Sequence, residues 1–153
     1  MKGMIIICKI GDIIVVNNYV GEDGNNVSKH SFVVISDEKG TITGLDYDIV
    51  ASVISSFKSD THRIKKLKYR ENMELPITSM NGKNFKRKSY IKADQAHYFN
   101  KRKTNYYILG TLKRKYINNL LNLIISLESD NKIKIITSNL WFTIDKIYIY
   151  IYN

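Results

Sequence analysis

Two apolar runs limit what this chain can fold into. Phe32-Val33-Val34-Ile35 and Ile49-Val50-Ala51-Ser52-Val53-Ile54 are short, continuous and rich in β-branched residues. That is the composition of strands buried on both faces, in the middle of a covered sheet. Their ends are unusual. Lys29-His30-Ser31 leads into the first run, and Ser55-Ser56-Phe57-Lys58 follows the second, where turn residues would be ordinary. If the strands are neighbours, the sequence predicts two cations, an imidazole and two hydroxyls on one rim, groups suited to holding a phosphate.

At 153 residues the chain fits a single domain spanning 1–153, long enough to bury roughly two-thirds of its unfolded surface. The one cysteine, Cys8, excludes an internal disulfide and a cysteine-based zinc site and suits a reducing cytoplasm. The apolar opening through Cys8 is too short for a signal or membrane segment, and Lys9 and Asp12 follow at once. The expected location is therefore cytoplasmic, with no membrane partner.

Charge is more informative. The net charge of +10 divides into −3 over residues 1–57, +13 over 58–115 and zero beyond. Such a concentrated excess is the electrostatic footprint of a polyanion binder rather than of an evenly solvated surface. Within it, Arg63, Lys65, Lys66 and Lys68 form one cluster, Lys86, Arg87 and Lys88 a second, and Lys101, Arg102 and Lys103 a third. These are the expected contacts to nucleic acid or another polyanion, and to RNA on the resemblance given below.

Residues 4–10 and 12–17 read as β-rich pieces broken by Gly11, and 19–28 as a ten-residue polar loop joining antiparallel strands. Residues 61–72 suit a short helix or an exposed loop, 74–78 around Pro76 an edge strand, and 89–95 a further strand. A helix is expected over 111–129, with Thr111 as its cap. Leu112, Tyr116, Ile117, Leu120, Leu121, Ile124 and Leu127 lie along it at helical spacing, a face that packs on the sheet. Residues 132–137 and 146–152 read as β-rich, and Ile147 to Tyr152 alternates strictly between isoleucine and tyrosine. The class is thus mainly β with helices (α+β).

Several chemistries drop out. His30, His62 and His97 stand in unrelated contexts and no carboxylate cluster has ligand spacing, so no metal site is expected. No glycine-rich phosphate loop or dinucleotide fingerprint occurs, so no cofactor is expected. What remains is cation and hydroxyl chemistry on a phosphate. Metal-free RNA cleavage needs the 2′-hydroxyl deprotonated, the anionic phosphorane stabilised and the leaving 5′-oxygen protonated, and fixed donors aimed at the phosphorane contribute most.

The order Gly11-Asp12-Ile13-Ile14-Val15-Val16, polar loop, Lys29 to Ser36, then Ile49 to Ser55 resembles the MazF/PemK/Kid family of toxin endoribonucleases. Ser89 to Gln95 resembles that family's later strand ending in Asp-Gln. Gly110-Thr111-Leu112 resembles the Gly-x-Leu that opens its terminal helix. Within the fold, Lys29 and Ser55-Ser56-Phe57-Lys58 resemble the ToxN/CptN group, toxins of type III systems whose antitoxin is a repeated RNA pseudoknot. His30 stands where MazF relatives place a catalytic Arg, and residues 37–48 and those after Ser129 have no counterpart.

The resemblance implies an SH3-like barrel. It assigns Lys29 to 2′-hydroxyl activation or phosphorane binding, Ser55 and Ser56 to the non-bridging oxygens, Lys58 to charge neutralisation and His30 to acid–base work. Lys92 and Asp94 match the Arg-x-Asp that Kid uses for RNA contact and catalysis. The implied activity is metal-independent, sequence-selective cleavage of cellular RNA to a 2′,3′-cyclic phosphate and a 5′-hydroxyl. A structured small RNA antitoxin in a toxin–RNA assembly would inhibit it. The rival expectations are a MazF-like ribonuclease with a protein antitoxin and a non-catalytic RNA-binding barrel.

Overall fold

The computed structural model describes residues 7–140; the expectations for residues 4–6 and for the alternating 147–152 segment lie outside the described residues. In order, the elements are β1 (Asp12–Val20), β2 (Asn26–Ser36), β3 (Ile49–Ser56), α1 (Asp60–Leu67), β4 (Asn72–Leu75), β5 (Ser89–Lys92), β6 (Gln95–Phe99), β7 (Tyr106–Thr111), α2 (Arg114–Ser129) and β8 (Lys134–Ile136). This is a mainly β protein with helices.

The eight strands among the described residues belong to one sheet, in which β4, β5, β3, β2, β1 and β7 follow one another and β6 pairs with β3 and β8. Every ladder is antiparallel except β6 with β8. β3 is the pivot. One edge pairs with β2, and its other edge pairs first with β6, at Ile49 to Ala51, and then with β5, at Ile54 to Ser56. Strands at the two ends of the run β6–β3–β2–β1–β7 share one core. Phe99 of β6 lies in the cluster of Ile14, Val16, Phe32, Val34 and Val53, against which Tyr106 and Ile108 of β7 also pack. The sheet therefore curls strongly around this cluster, although no ladder among the described residues closes it.

The other face is covered by α2. Its Leu120 and Leu127 are buried with Ile13, Val33, Ile54, Leu75 and Ile91, and Tyr116, Ile117, Leu123 and Ile124 pack beside them. Both central runs are thus buried on both faces, as their composition predicts. Gly11 permits the close approach of the helix. Its φ is +88°, which disfavours any side chain, and a Cβ there would also force the tip of Ile117 to move.

Several sequence expectations are corrected in detail. α2 begins at Arg114 behind Lys113, which makes no side-chain capping bond; Thr111 ends β7 and donates its hydroxyl to Asp12 Oδ1 at 2.8 Å. Burial of the Asp12 carboxylate makes satisfying it worth more than capping an exposed helix end. Among residues 7–10 there is no strand. The ten-residue loop shrinks to 21–25, because β1 and β2 continue into it and pair from Val20↔Asn26 onward. Lys29 and His30 consequently lie inside β2 rather than at its start. The strand expected over 89–95 breaks at Ala93-Asp94. Between Ile54↔Ile91 and Ala51↔His97, three steps along β3 match six along its partner. At the break, the outer neighbour changes from β4 to β8. The edge strand precedes Pro76 and does not include it, since proline lacks the donor that the ladder needs. No helix among the described residues is long and apolar enough to cross a membrane.

Candidate nucleic-acid interface

The antiparallel register places Ser31 opposite Ile54, so the ladder continued by two steps sets Lys29 beside Ser56. On the far edge, Ser56 pairs with Ser89 and Ser55 with Tyr90. Successive strand side chains alternate between faces, and this divides the predicted site into two.

On the α2 side lies a groove of about 740 Å³. Its lining includes Lys29, Ser31, Ser56, Lys83, Lys86, Arg87, Ser89 and Tyr107, with Met80 and Phe85 as apolar walls. Among the described residues, no carboxylate lines it. Lys29 Nζ stands 5.5 Å from the centre of the Tyr107 ring, a cation–π contact that steadies a long side chain without neutralising it. Residues 81–88 form the outer wall and are pinned at several points. Asn81 N–H donates to the Thr111 carbonyl (2.8 Å), Phe85 N–H to Ile77 (2.8 Å) and Phe57 N–H to Lys88 (3.1 Å). Ser89 Oγ donates to the Arg87 carbonyl at 3.0 Å. The groove can hold a phosphate between hydroxyls and cations, and can continue along its backbone.

On the opposite side lies a cavity of about 290 Å³, lined by Tyr19, His30, Ser55, Lys92, Gln95 and His97 together with Glu22 and Asp23 of the hairpin loop. His30 borders both cavities, and its ring lies on this side, edge-on to Tyr19 and Phe32. Burial holds the His30 pKa below its ordinary value, opposed by the backbone of Ile54 and reinforced by Lys92. His97 is 2% exposed, and burial, with Lys92 and His30 nearby, lowers its pKa to about 4. Its Nδ1 is buried without a partner, while Nε2 lies 3.4 Å from Gln95 Oε1. Gln95 in turn donates to Glu22 at 3.0 Å.

Of the five residues expected to act on the phosphate, Lys29 and Ser56 thus share the groove, His30 and Ser55 face the second cavity, and Lys58 lines neither. Lys58 N–H donates instead to His62 Nδ1 at 3.0 Å. Among the expected RNA contacts, Lys86 and Arg87 line the groove, whereas the Lys88 side chain does not. Arg63 is held by Glu74 through two bonds of 2.8 and 3.0 Å. Lys65 and Lys66 occupy the last turn of α1, with Lys68 as its C-cap. Lys101, Arg102 and Lys103 lie between β6 and β7 and line neither cavity. Lys92 and Asp94 are separated by the strand break. Lys92 faces His30, while Asp94 lines another cavity with Glu71, where burial and then Glu71 push its pKa up.

The sequence reading missed Lys83, Ser89 and Tyr107 in the groove, and His97 and Gln95 in the second cavity. Ser89 had only its register with Ser56 to identify it, and register is not written locally. No group of three or more His, Cys, Asp or Glu among the described residues is placed to hold a metal ion. Comparison with protein-family models finds no match, and comparison with curated proteins finds none.

Proposed function

We propose that this chain is a metal-independent, sequence-selective endoribonuclease of the ToxN/CptN kind, the toxin of a system restrained by a structured small RNA. The observation that carries the reading is the groove. Lys29 and Ser56, two of the residues on which the resemblance rests, line it together with Ser89, Lys83, Lys86 and Arg87, and among the described residues no carboxylate lines it. Support for an SH3-like barrel of the MazF/PemK/Kid type comes from the curl that brings β6 and β7 into one core.

In this reading a phosphodiester sits against Ser56 and Ser89. The 2′-oxygen attacks phosphorus as its proton passes to water. The P–O2′ bond forms, the P–O5′ bond breaks, and the Lys29 ammonium protonates the departing 5′-oxygen and recovers its proton from solvent. The two hydroxyls donate to the non-bridging oxygens while Lys86 and Arg87 balance the phosphorane charge, the kind of fixed stabilisation that dominates such steps. The products are a 2′,3′-cyclic phosphate and a 5′-hydroxyl. The remaining cations track the backbone of a folded RNA, where sugar and phosphate contacts give affinity.

The test is cleavage of RNA in excess chelator, with the termini of the products identified. Activity that persists and leaves cyclic phosphate supports the reading. Activity lost on chelation and restored by Mg²⁺ overturns the mechanism, and tight RNA binding with no cleavage leaves a binding module. Toxin expressed with its native locus is expected to co-purify with a short RNA; a nucleic-acid-free preparation argues for a protein antitoxin.

A further inference from the structure

At its β7 side the groove carries an aromatic ring that the cleavage reading does not use. Tyr106 and Ile108 of β7 pack into the core around Phe32, and Leu109 packs with the cluster that α2 buries. Tyr107, which alternation puts on the same face as Leu109, is 44% exposed. Register fixes where its ring stands. Tyr107 pairs with Val15 and Val15 with Ser31, and residues paired across neighbouring strands share a face. All three line the groove with Lys29, Ser56 and Ser89. Lys29 Nζ lies 5.5 Å from the centre of the Tyr107 ring, so ring and cation are neighbours and not merely residues of one face.

A half-exposed aromatic ring among cations is the chemistry that takes an unpaired base. Every base has a π-face to stack, and its phosphates need counter-charge. The distance fits one nucleotide. A phosphate oxygen held by Lys29 Nζ at the ~2.8 Å of a charge-assisted hydrogen bond lies about 8 Å or less from the centre of the Tyr107 ring. A base stacked on that ring therefore reaches the phosphate through a single sugar. Met80, Phe85 and Leu109 give the same groove apolar surface for the base to cover. We infer that Tyr107 is the stacking platform for the nucleobase adjoining the phosphate that Lys29 holds. The platform rests on the groove being the RNA site, and it adds to that reading the residue that selects unpaired RNA there.

The experiment measures binding of 2′-O-methyl oligoadenylate and oligouridylate eight-mers, which resist 2′-hydroxyl attack, by fluorescence anisotropy. The tighter binder is then scanned with a single abasic position. Tyr107→Ala is expected to weaken the intact oligomer about 5- to 100-fold, the range of one base–aromatic stack, while Tyr107→Phe retains affinity. At one scanned position the abasic oligomer should lose a similar factor on the wild type and nothing further on Tyr107→Ala. Because the ring also steadies Lys29, a salt titration separates the two roles. Loss of a stack leaves the log–log salt slope as it was, whereas loss of the Lys29 contact makes it shallower by roughly 0.7. Tyr107→Leu, which keeps apolar bulk on the sheet, separates stacking from folding; it should melt like the wild type and still bind weakly. Unchanged affinity in folded Tyr107→Ala, an equal loss for intact and every abasic oligomer, a slope shallower by one contact, or Tyr107→Phe as weak as Tyr107→Ala overturns the platform. A wild type that binds neither oligomer overturns it as well. Stacking in a protein unable to cleave RNA supports the platform and removes the nuclease reading. Cleavage by the wild type with unchanged binding in Tyr107→Ala does the reverse.

Discussion

On one side of the sheet at Ser55-Ser56 lie Lys29, Lys83, Lys86 and Arg87, with no carboxylate among the described residues that line it. On the other, Lys92 and two histidines face Glu22 and Asp23. The same two strands form both, and the difference comes from what covers each face. The groove is walled by the basic 81–88 segment, whereas the second cavity is closed by the acidic hairpin loop and by aromatic core residues. The first has the charge to suit a polyanion. In the second, carboxylates oppose it and burial disfavours the charged form of both imidazoles. The lesson is that adjacent serines in a strand do not share an environment.

The sharpest way to break this comparison is to remove each hydroxyl in turn. Ser56→Ala should lower the cleavage rate about 10²- to 10³-fold, as loss of one donor to a developing oxyanion does, and Ser55→Ala less than about tenfold. Equal losses in single-turnover assays would merge the two sides into one site.

Acid titration probes the second cavity next. The His97 pKa of about 4 lies below the ~6.5 of an unfolded histidine. The stability tied to its neutral form is therefore complete above about pH 6.5. It is lost as pH falls toward 4, because the unfolded chain takes up a proton that the folded chain refuses. The loss over that window is on the order of 3 kcal/mol. His97→Phe, beside Phe32 and Phe99, should flatten denaturant-derived stability between pH 6.5 and 4. An unchanged slope would show that His97 is not the group that titrates.

Salt dependence compares the groove with α1. Lys86→Gln and Arg87→Gln should each make the log–log salt slope of RNA binding shallower by roughly 0.7, the contribution of one single-strand phosphate contact. Arg63→Gln should leave it unchanged, since Glu74 already holds that guanidinium. A slope that responds to Arg63 and not to Arg87 would move the interface to the helix.

The smallest effect is expected at Glu22, half-exposed and paired with Lys134 at 3.4 Å. Glu22→Ala should change stability by less than about 1 kcal/mol and leave the cleavage rate as it was. A marked fall in cleavage would mean that the hairpin loop belongs to the reacting side.

Much of the scaffold was legible. The β-branched runs announced strands buried on both faces, and the 3.6-residue stripe announced the helix that buries Leu120 and Leu127. The charge excess marked the segment that supplies Lys83, Lys86 and Arg87. The site was legible only as a set of residues. With β3 expected to stop at Ile54, Ser55 and Ser56 read as the end of the strand, on one rim where both hydroxyls serve one phosphate. Once β3 runs through Ser56, the pleat sends them to opposite faces. The break at Ala93-Asp94 was hidden for a related reason. Nothing in Ser89 to Gln95 requires it, and it follows from a change of neighbour between β4 and β8, both remote in sequence.

What the chain determines by itself is local. It encodes which segments bury both faces, which stripe a helix turns inward, and where positive charge is stored, because period, branching and charge are properties of short windows. The tertiary structure alone decided which face of each strand meets which distant segment, and hence that Ser56 joins Lys29, Ser89 and Arg87 while Ser55 joins His30, Lys92 and His97. That choice depends on pairing register and on long-range packing, in which each contact is weak, non-directional and shared by residues far apart in the chain.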